Sequence, residues 1–194
     1  MILKKANKKA IDYACKNFHY SKSVPAVQYA YNVYNNNNEW CGVILYGGGA
    51  SCNLYKHMNM CSGELLELER VALNGKQEIT SKALALSLKL LHKENPLCKL
   101  IVSFADTRQK HIGTIYKATN WIYLGKRKCD YEFFYNGKWR HSRSINALKN
   151  RQEIKQKCPK RKASDKFKYV YCFDKELREK YQKMALPYPT EKDL

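Results

Sequence analysis

A mixed α/β fold, a central β-sheet flanked by helices, is the fold class this sequence predicts, and three observations predict it. Hydrophobic periodicity gives the element order α, β, β, β, α, β, α, β and then a hairpin, and helices alternating with strands pack as layers on a mixed sheet. The stretch LIVSFADTRQKHIGTIYKATNWIYLG, residues 100–125, is an apolar, β-branched run ending in Asp106, then a polar turn, a short helix carrying Tyr116, and an aromatic strand that stops at Gly125. It reads as a buried strand feeding a helix, and an acid at the carboxyl end of such a strand sits where open α/β sheets bind ligands. Finally, 44% of the 194 residues are hydrophobic, enough for a sizeable core, and at roughly 100–200 residues per domain one domain is the expectation.

Each element has its own signal. Residues 5–18 place Ala10, Ile11, Ala14 and Phe18 on or near one face of a short amphipathic helix, closed by the polar loop HYSKSVP at 19–25. Residues 26–34 and 40–46 read as strands paired across a turn at 35–38, the second ending at Gly47-Gly48-Gly49, and residues 50–63 are irregular. Over 65–73 the chain alternates: Leu66, Leu68, Arg70 and Ala72 fall on one side, and Leu65, Glu67, Glu69 and Val71 on the other. After a turn at Asn74-Gly75, Thr80 or Ser81 caps a helix with Leu84, Leu88 and Leu91 at helical spacing, stopped by Pro96. A core strand at 99–105, the Tyr116 helix and a strand at 121–124 follow. Asn136-Gly137 between the aromatic runs 131–135 and 138–141 signals a two-residue type I′ hairpin. Beyond it the chain is basic and weakly periodic, with one strand candidate at 169–173 and one helix at 175–184. The expected division is a domain over 1–145 and a basic C-terminal extension over 146–194, packed on the same domain.

The formal net charge is +19, from 36 Lys and Arg against 17 Asp and Glu. Such a surplus concentrates polyanions, chiefly nucleic acid, through phosphate contacts and counterion release; a generally basic, soluble surface is the plainer alternative. No apolar run reaches the ~18 residues of a membrane span, and the N-terminal stretch has no long apolar segment of the signal-peptide kind. Cys15, Cys41, Cys52, Cys61, Cys98, Cys129, Cys158 and Cys172 are read as reduced, mostly buried thiols of a cytoplasmic protein.

Several residues carry chemistry, and each has a plain structural alternative. His19-Tyr20-Ser21 before a proline reads by itself as a helix-terminating loop with His19 on the last carbonyls. Asp106 reads as a turn or N-cap acid, or as a carboxylate that accepts a proton or binds a metal. Tyr116, in line with Ile112 and Thr119, is a core aromatic or an acid. Arg70 on an apolar strand face is expensive unless paired, so it is either a salt bridge with a carboxylate such as Asp106 or an anchor for an anionic donor. Ser103 lies three residues before Asp106 and, at period 2, faces the other side. Cys52-x4-His57-x3-Cys61 with Cys41 nearby departs from standard zinc spacings, and Gly47-Gly48-Gly49 has no helix opening after it, as a phosphate loop requires. The runs Lys126-Arg127-Lys128, 138–143 (with Lys138, Arg140 and Arg143) and 155–168 are interleaved with Tyr131, Tyr135 and Trp139. Cations among aromatics fit a nucleic-acid track, or else a solvated basic tail.

The element order, with IYKATNWIYLG at 115–125, resembles the GNAT acyltransferase fold. The chain is similar, more closely, to the phage Mom family of DNA-modifying proteins, through FHYSKSVP at 18–25, residues 42–49, ERVAL at 69–73, VSFAD at 102–106 and residues 111–125. The resemblance implies a double-stranded DNA partner and conversion of adenine N6 to a carbamoylmethyl derivative that hides phage DNA from restriction, in the host cytoplasm if the chain is phage-encoded. It implies His19, Tyr20, Asp106 and Tyr116 at the reaction centre, with Tyr116 in the place of a tyrosine that protonates a leaving thiolate. Arg70, Ser103 and Lys76 would bind the donor. The acceptor adenine would be flipped out, with Tyr20, Tyr34 and Trp40 as possible walls. An acyl donor such as acetyl-CoA is implied, and because the product is joined through a methylene carbon, a metal such as iron held by His19 and Asp106. One departure stands out. The loop 73–81, where acyltransferases of this fold hold the coenzyme A pyrophosphate on spaced glycines, has a single glycine, so either the donor differs or Lys76 does part of that work. A non-catalytic DNA-binding protein on this scaffold and a conventional N-acetyltransferase are the alternatives.

Overall fold

The computed structural model describes residues 1–49 and 54–194. Its main body is a seven-stranded sheet in the order β1-β2-β3-β4-β5-β10-β6. The strands are β1 (Ile2–Lys5), β2 (Tyr29–Tyr34), β3 (Trp40–Gly47), β4 (Leu65–Leu73), β5 (Leu100–Asp106), β6 (Ile122–Arg127) and β10 (Lys166–Cys172). Every neighbouring pair is antiparallel except β4 and β5, as expected when the helical crossover α3 (Thr80–Glu94) joins them. On one face Leu84, Leu88 and Leu91 of α3 pack over Tyr31, Ile44, Leu66, Leu68 and Ile101, and α4 (Thr114–Lys117) adds Tyr116. The other face is covered by α1 (Lys8–Phe18), whose Ala14 and Cys15 bury against Val43, Leu45 and Ala72, and by α7 (Lys175–Gln182), whose Tyr181 meets Ile122 and Val170.

The predicted strands and helices are recognisable, with informative differences. β1 was not expected: it pairs with β2 through Ile2–Lys5 although most of it is exposed. α1 starts at Lys8, after Asn7 accepts the Ala10 N–H. α3 starts at Thr80, but neither Thr80 nor Ser81 caps it; Ile79 is the cap residue, without a side-chain bond, and Thr80 Oγ1 instead accepts from Gln77. β6 does not stop at Gly125 but passes through it. Pairing with β10 shifts register there, so the strand takes an extra residue, and Gly125 absorbs the bulge at φ +100°, which a side chain tolerates poorly.

The basic C-terminal region supplies β10, which lies between β5 and β6 in the middle of the body. What separates β6 from β10 in sequence is a lobe of its own. β7 (Tyr131–Tyr135), β8 (Lys138–His141) and β9 (Lys160–Lys162) form a second sheet in the order β8-β7-β9. The β7–β8 turn has positive φ at both Asn136 and Gly137, as a type I′ turn demands. The short helices α5 (Ser142–Asn146) and α6 (Arg151–Lys157) bury Ile145 and Ile154 against Phe133. The lobe's two stems meet where the Ala163 N–H donates to the Asp130 carbonyl at 2.8 Å.

Candidate active site

The parallel pair β4–β5 is joined over only three positions, Leu65↔Leu100, Leu66↔Ile101 and Glu67↔Val102. Beyond them the strands part. β4 stays with β3 but slips register between Leu68 and Arg70, leaving Glu69 as an extra residue. β5 stays with β10 to its last residue, Asp106 opposite Lys166. The bulge also corrects the simple alternation of β4. Leu66 and Leu68 share a face with Val71 and Leu73, whereas Arg70 is paired with Leu45 and joins Ala72 on the α1 side.

The parting strands leave a cavity of about 520 Å³. Residues of both sheet faces line it: Leu68, Val71, Ser103 and Tyr116 from the α3 side, and Phe18, His19, Tyr20, Arg70, Asp106 and Lys166 from the α1 side. Of the residues singled out by sequence, His19, Tyr20, Arg70, Ser103, Asp106 and Tyr116 meet here. Lys76 does not: it is exposed in the turn after β4, its carbonyl accepting from Asn35 Nδ2. Tyr34 and Trp40 line a separate, shallow cleft with Tyr13.

His19 follows the last turn of α1. Its Nδ1 accepts the Ser21 backbone N–H at 3.2 Å and lies 2.8 Å from Ser21 Oγ. In the neutral ring the proton is therefore on Nε2, a donor toward the cavity. Burial, then the charge of Arg70 and of His111 and Lys22, pulls its pKa down to about 4, so the ring is neutral at pH 7. The Tyr20 ring lies against it at 4.3 Å, tilted by 32°, and meets His111 edge-on at 6.0 Å. Burial and the nearby Asp106 charge raise the Tyr20 phenol. Asp106 caps the short 3₁₀ turn after β5 by accepting the Arg108 N–H at 2.9 Å, so the plain reading of this acid holds and the same side chain also lines the cavity.

Arg70 is not paired with Asp106. Nη1 donates to the Glu69 carbonyl at 2.5 Å and lies 4.0 Å from Glu69 Oε2, Nη2 reaches Ser23 Oγ at 3.4 Å, and Nε is buried without a partner. Glu69 Oε1 accepts the Gly49 N–H, and burial pushes this carboxyl up against the opposing pull of Arg70. Tyr116 is buried between Tyr169 (4.6 Å) and Trp121 (5.0 Å). Its hydroxyl donates to Ser103 Oγ at 2.8 Å, because Ser103 donates onward to the Leu68 carbonyl at 3.2 Å. Burial pushes the phenol up to about 12, so it keeps its proton at neutral pH.

Glu67, Glu69, His111 and Lys166 also line the cavity and were not singled out. Glu67 and Glu69 had a signal, since two carboxylates in a nine-residue central strand are costly unless they do something; His111 and Lys166 had none. Among the described residues no three His, Cys, Asp or Glu side chains converge as a metal site. The expected iron pair, His19 and Asp106, both line the cavity without a third such ligand among the described residues to complete a site. Cys52 of the cysteine–histidine pattern lies outside the described residues, and Cys41 is buried with its thiol on the Glu39 carbonyl.

Of the expected DNA contacts, Arg127, Lys128 and Arg143 line a second cavity of about 360 Å³ that shares Glu67, Phe104 and Lys166 with the first. Lys138 and Arg140 sit on the lobe, Arg140 bonded to the Tyr135 carbonyl. Lys126 is occupied by the Asp193 carbonyl.

A mixed sheet, helices on both faces and one parallel pair splayed around a cavity define a GNAT-type acyltransferase fold. Solved structures of that class overlay it. The spermidine/spermine N-acetyltransferase SpeG from Vibrio cholerae matches with a TM-score of 0.51 at 10% identity, covering 92% of this chain and 95% of that one. A GNAT-family acetyltransferase from Bacillus anthracis matches with a TM-score of 0.50 at 12% identity, covering 88% and 93%. Within that fold the chain belongs to the Mom protein family, whose model matches residues 1–190. It is 24% identical over 135 residues to the methylcarbamoylase mom of Escherichia phage Mu, a match that covers 68% of this chain and 56% of that protein's length.

Proposed function

We propose that the protein is a transferase that modifies adenine N6 in double-stranded DNA with a carbamoylmethyl group, protecting that DNA from restriction. The observation that carries the reading is the cavity between β4 and β5, which gathers six of the sequence-predicted residues and opens toward both sheet faces. The two faces suit two substrates. Toward α3, the unpaired flanks of β4 and β5 offer backbone groups to an extended, amide-bearing donor that carries the carbamoylmethyl group on a leaving atom. Toward α1, His19, Tyr20 and Asp106 face outward beside Lys166 and the cations of the second cavity, a setting for an extruded base and its flanking phosphates.

On this reading Tyr20 stacks on the adenine. Asp106 accepts a hydrogen bond from the N6 amino group and takes its proton as N6 bonds to the methylene carbon of the carbamoylmethyl group, whose bond to the donor's leaving group breaks in the same step. His19 donates from Nε2 to a ring nitrogen or to the donor's carbonyl oxygen. Tyr116, held protonated, is the proton source for that leaving group. The relative's name, a methylcarbamoylase, supports a transferred group of this composition, and the resemblance to the Mom family supports DNA as the substrate.

The test is mass spectrometry of nucleosides from plasmid DNA co-expressed with the protein. A deoxyadenosine heavier by the carbamoylmethyl increment is the expected result. Unchanged nucleosides from cells holding folded protein would overturn the proposal in favour of a conventional N-acetyltransferase or a non-catalytic DNA-binding protein.

A further inference from the structure

We infer that the outer face of the three-stranded lobe is a base-stacking platform that engages duplex DNA beside the modified adenine; this rests on the DNA reading above. β7 alternates, so Phe133 turns inward to Ile145 and Ile154 while Glu132 and Phe134 turn outward. Register places Trp139 opposite Phe134, and Arg161 and His141 opposite Glu132. The outer face thus presents one connected group. Phe134 and Trp139 touch at 5.4 Å with rings tilted by 60°, yet each remains about two-fifths exposed, at 41% and 38%. The Arg161 guanidinium lies 4.3 Å above the Trp139 ring and is held there by Glu132 at 2.8 Å.

Glu132 has a second partner, and it decides where the platform sits. Arg108 Nη1 reaches the same Oε2 at 3.1 Å, and Arg108 is the residue whose backbone N–H Asp106 caps. The aromatic pair is therefore tied to the candidate active site through Trp139, Arg161, Glu132, Arg108 and Asp106, with a defined contact at every step. Two large rings left in water cost hydrophobic free energy with no return inside this molecule, and the platform is paved with cations.

The charge names the occupant. Residues 131–162 contain ten Lys and Arg against two Glu, and Glu132 is already shared by two arginines. An apolar protein partner would face this repulsive field unaided, whereas phosphates neutralise it and bases have the π-faces that rings and guanidinium planes stack on. Extruding a base leaves a gap in the stack, and an exposed aromatic pair beside the site is suited to fill it.

The experiment measures binding of the full chain to a fluorescent duplex by anisotropy over a range of salt, with the double variant Phe134→Ala/Trp139→Ala and its ring-keeping control Phe134→Tyr/Trp139→Phe. Loss of stacking predicts about tenfold or more weaker binding by the alanine variant. The slope of log K against log salt should be unchanged, because no phosphate contact is removed, and the control should bind like wild type. Circular dichroism melting checks that both variants fold. Wild-type affinity in the alanine variant, or an equal loss in both variants, would overturn the platform while leaving the DNA reading intact. Failure of the wild-type chain to bind the duplex at low salt would overturn both.

Discussion

Gly113 is the residue on which the site depends most sharply, and Gly113→Ala measures that dependence. Gly113 caps α4 at φ +78°, a left-handed conformation that costs an L-residue about 1–2 kcal/mol. Its missing Cβ would lie 2.4 Å from Cζ and Oη of Tyr169. That ring cannot yield: Tyr169 is fully buried, its hydroxyl donates to the Ile112 carbonyl at 2.7 Å, and it stacks on Tyr116. Overpacking a rigid site costs about a further 1–3 kcal/mol. The sum, about 2–5 kcal/mol, is a large share of the ~5–15 kcal/mol of a typical domain. At about 2–4 °C per kcal/mol for a chain of this size, Tm should fall by roughly 10 °C. The assay is thermal unfolding by circular dichroism, backed by urea titration. A loss of less than about 1 °C per the same scale would refute the reasoning, since it would mean that the α4 loop moves freely past Tyr169.

Three further outcomes follow from the same geometry. Asp106→Ala should abolish DNA modification while the protein still folds, losing only the cap on Arg108, about 1 kcal/mol; nucleoside mass spectrometry and a melt read the two effects separately. Ser103→Ala strands the Tyr116 hydroxyl, whose bond is lost in a buried site, and should cost about 1–3 kcal/mol. Tyr116→Phe leaves Ser103 its Leu68 carbonyl and should cost less, a ranking that urea unfolding checks. His19 binds its proton less readily folded, at about 4 against an ordinary 6.5, so the unfolded chain takes up more protons between those values and stability must fall as pH drops through that window. His19→Gln should flatten that part of the stability–pH curve, and an unchanged curve would show that the ring is not held neutral.

Much of this was legible because local rules decide it. The strand–turn–helix run ending in Asp106 and carrying Tyr116, the type I′ hairpin at Asn136-Gly137 and the Leu84–Leu88–Leu91 stripe are written in neighbouring residues and appear where the sequence puts them. Asp106 was singled out by its place at the end of a strand, whereas His19 and Tyr116 drew their suggested roles from the family resemblance; all three line the cavity. What escaped depends on pairing across the chain. Ile-Leu-Lys-Lys at 2–5 is too short to announce a strand and becomes one only because Tyr34 to Tyr31 lie beside it. Residues 169–173 read only as a short strand in a basic tail, yet the strand they belong to, Lys166–Cys172, lies between β5 and β6, a placement that no window of sequence contains. Lys76 lies outside the cavity because the turn after β4 is drawn toward Asn35 and the β2–β3 turn.

The single residue Glu69 joins these threads. Strict alternation would put Arg70 on the face of Leu66 and Leu68, beneath α3, where an unpaired guanidinium is costly. The extra residue inverts the parity of everything after it. Val71 and Leu73 then complete the apolar face, and Arg70 turns toward His19 and Ser23. The same bulge bends β4 away from β5 just past their last paired residues, so the opening of the cavity and the delivery of its cation have one cause. It also explains why Glu69 can be buried. Its carboxylate accepts from the Gly49 backbone and lies against the arginine that the bulge has just redirected. A one-residue irregularity in a central strand thus separates the apolar support of the candidate site from its charged lining, and the ERVAL segment at 69–73 is where that separation is made.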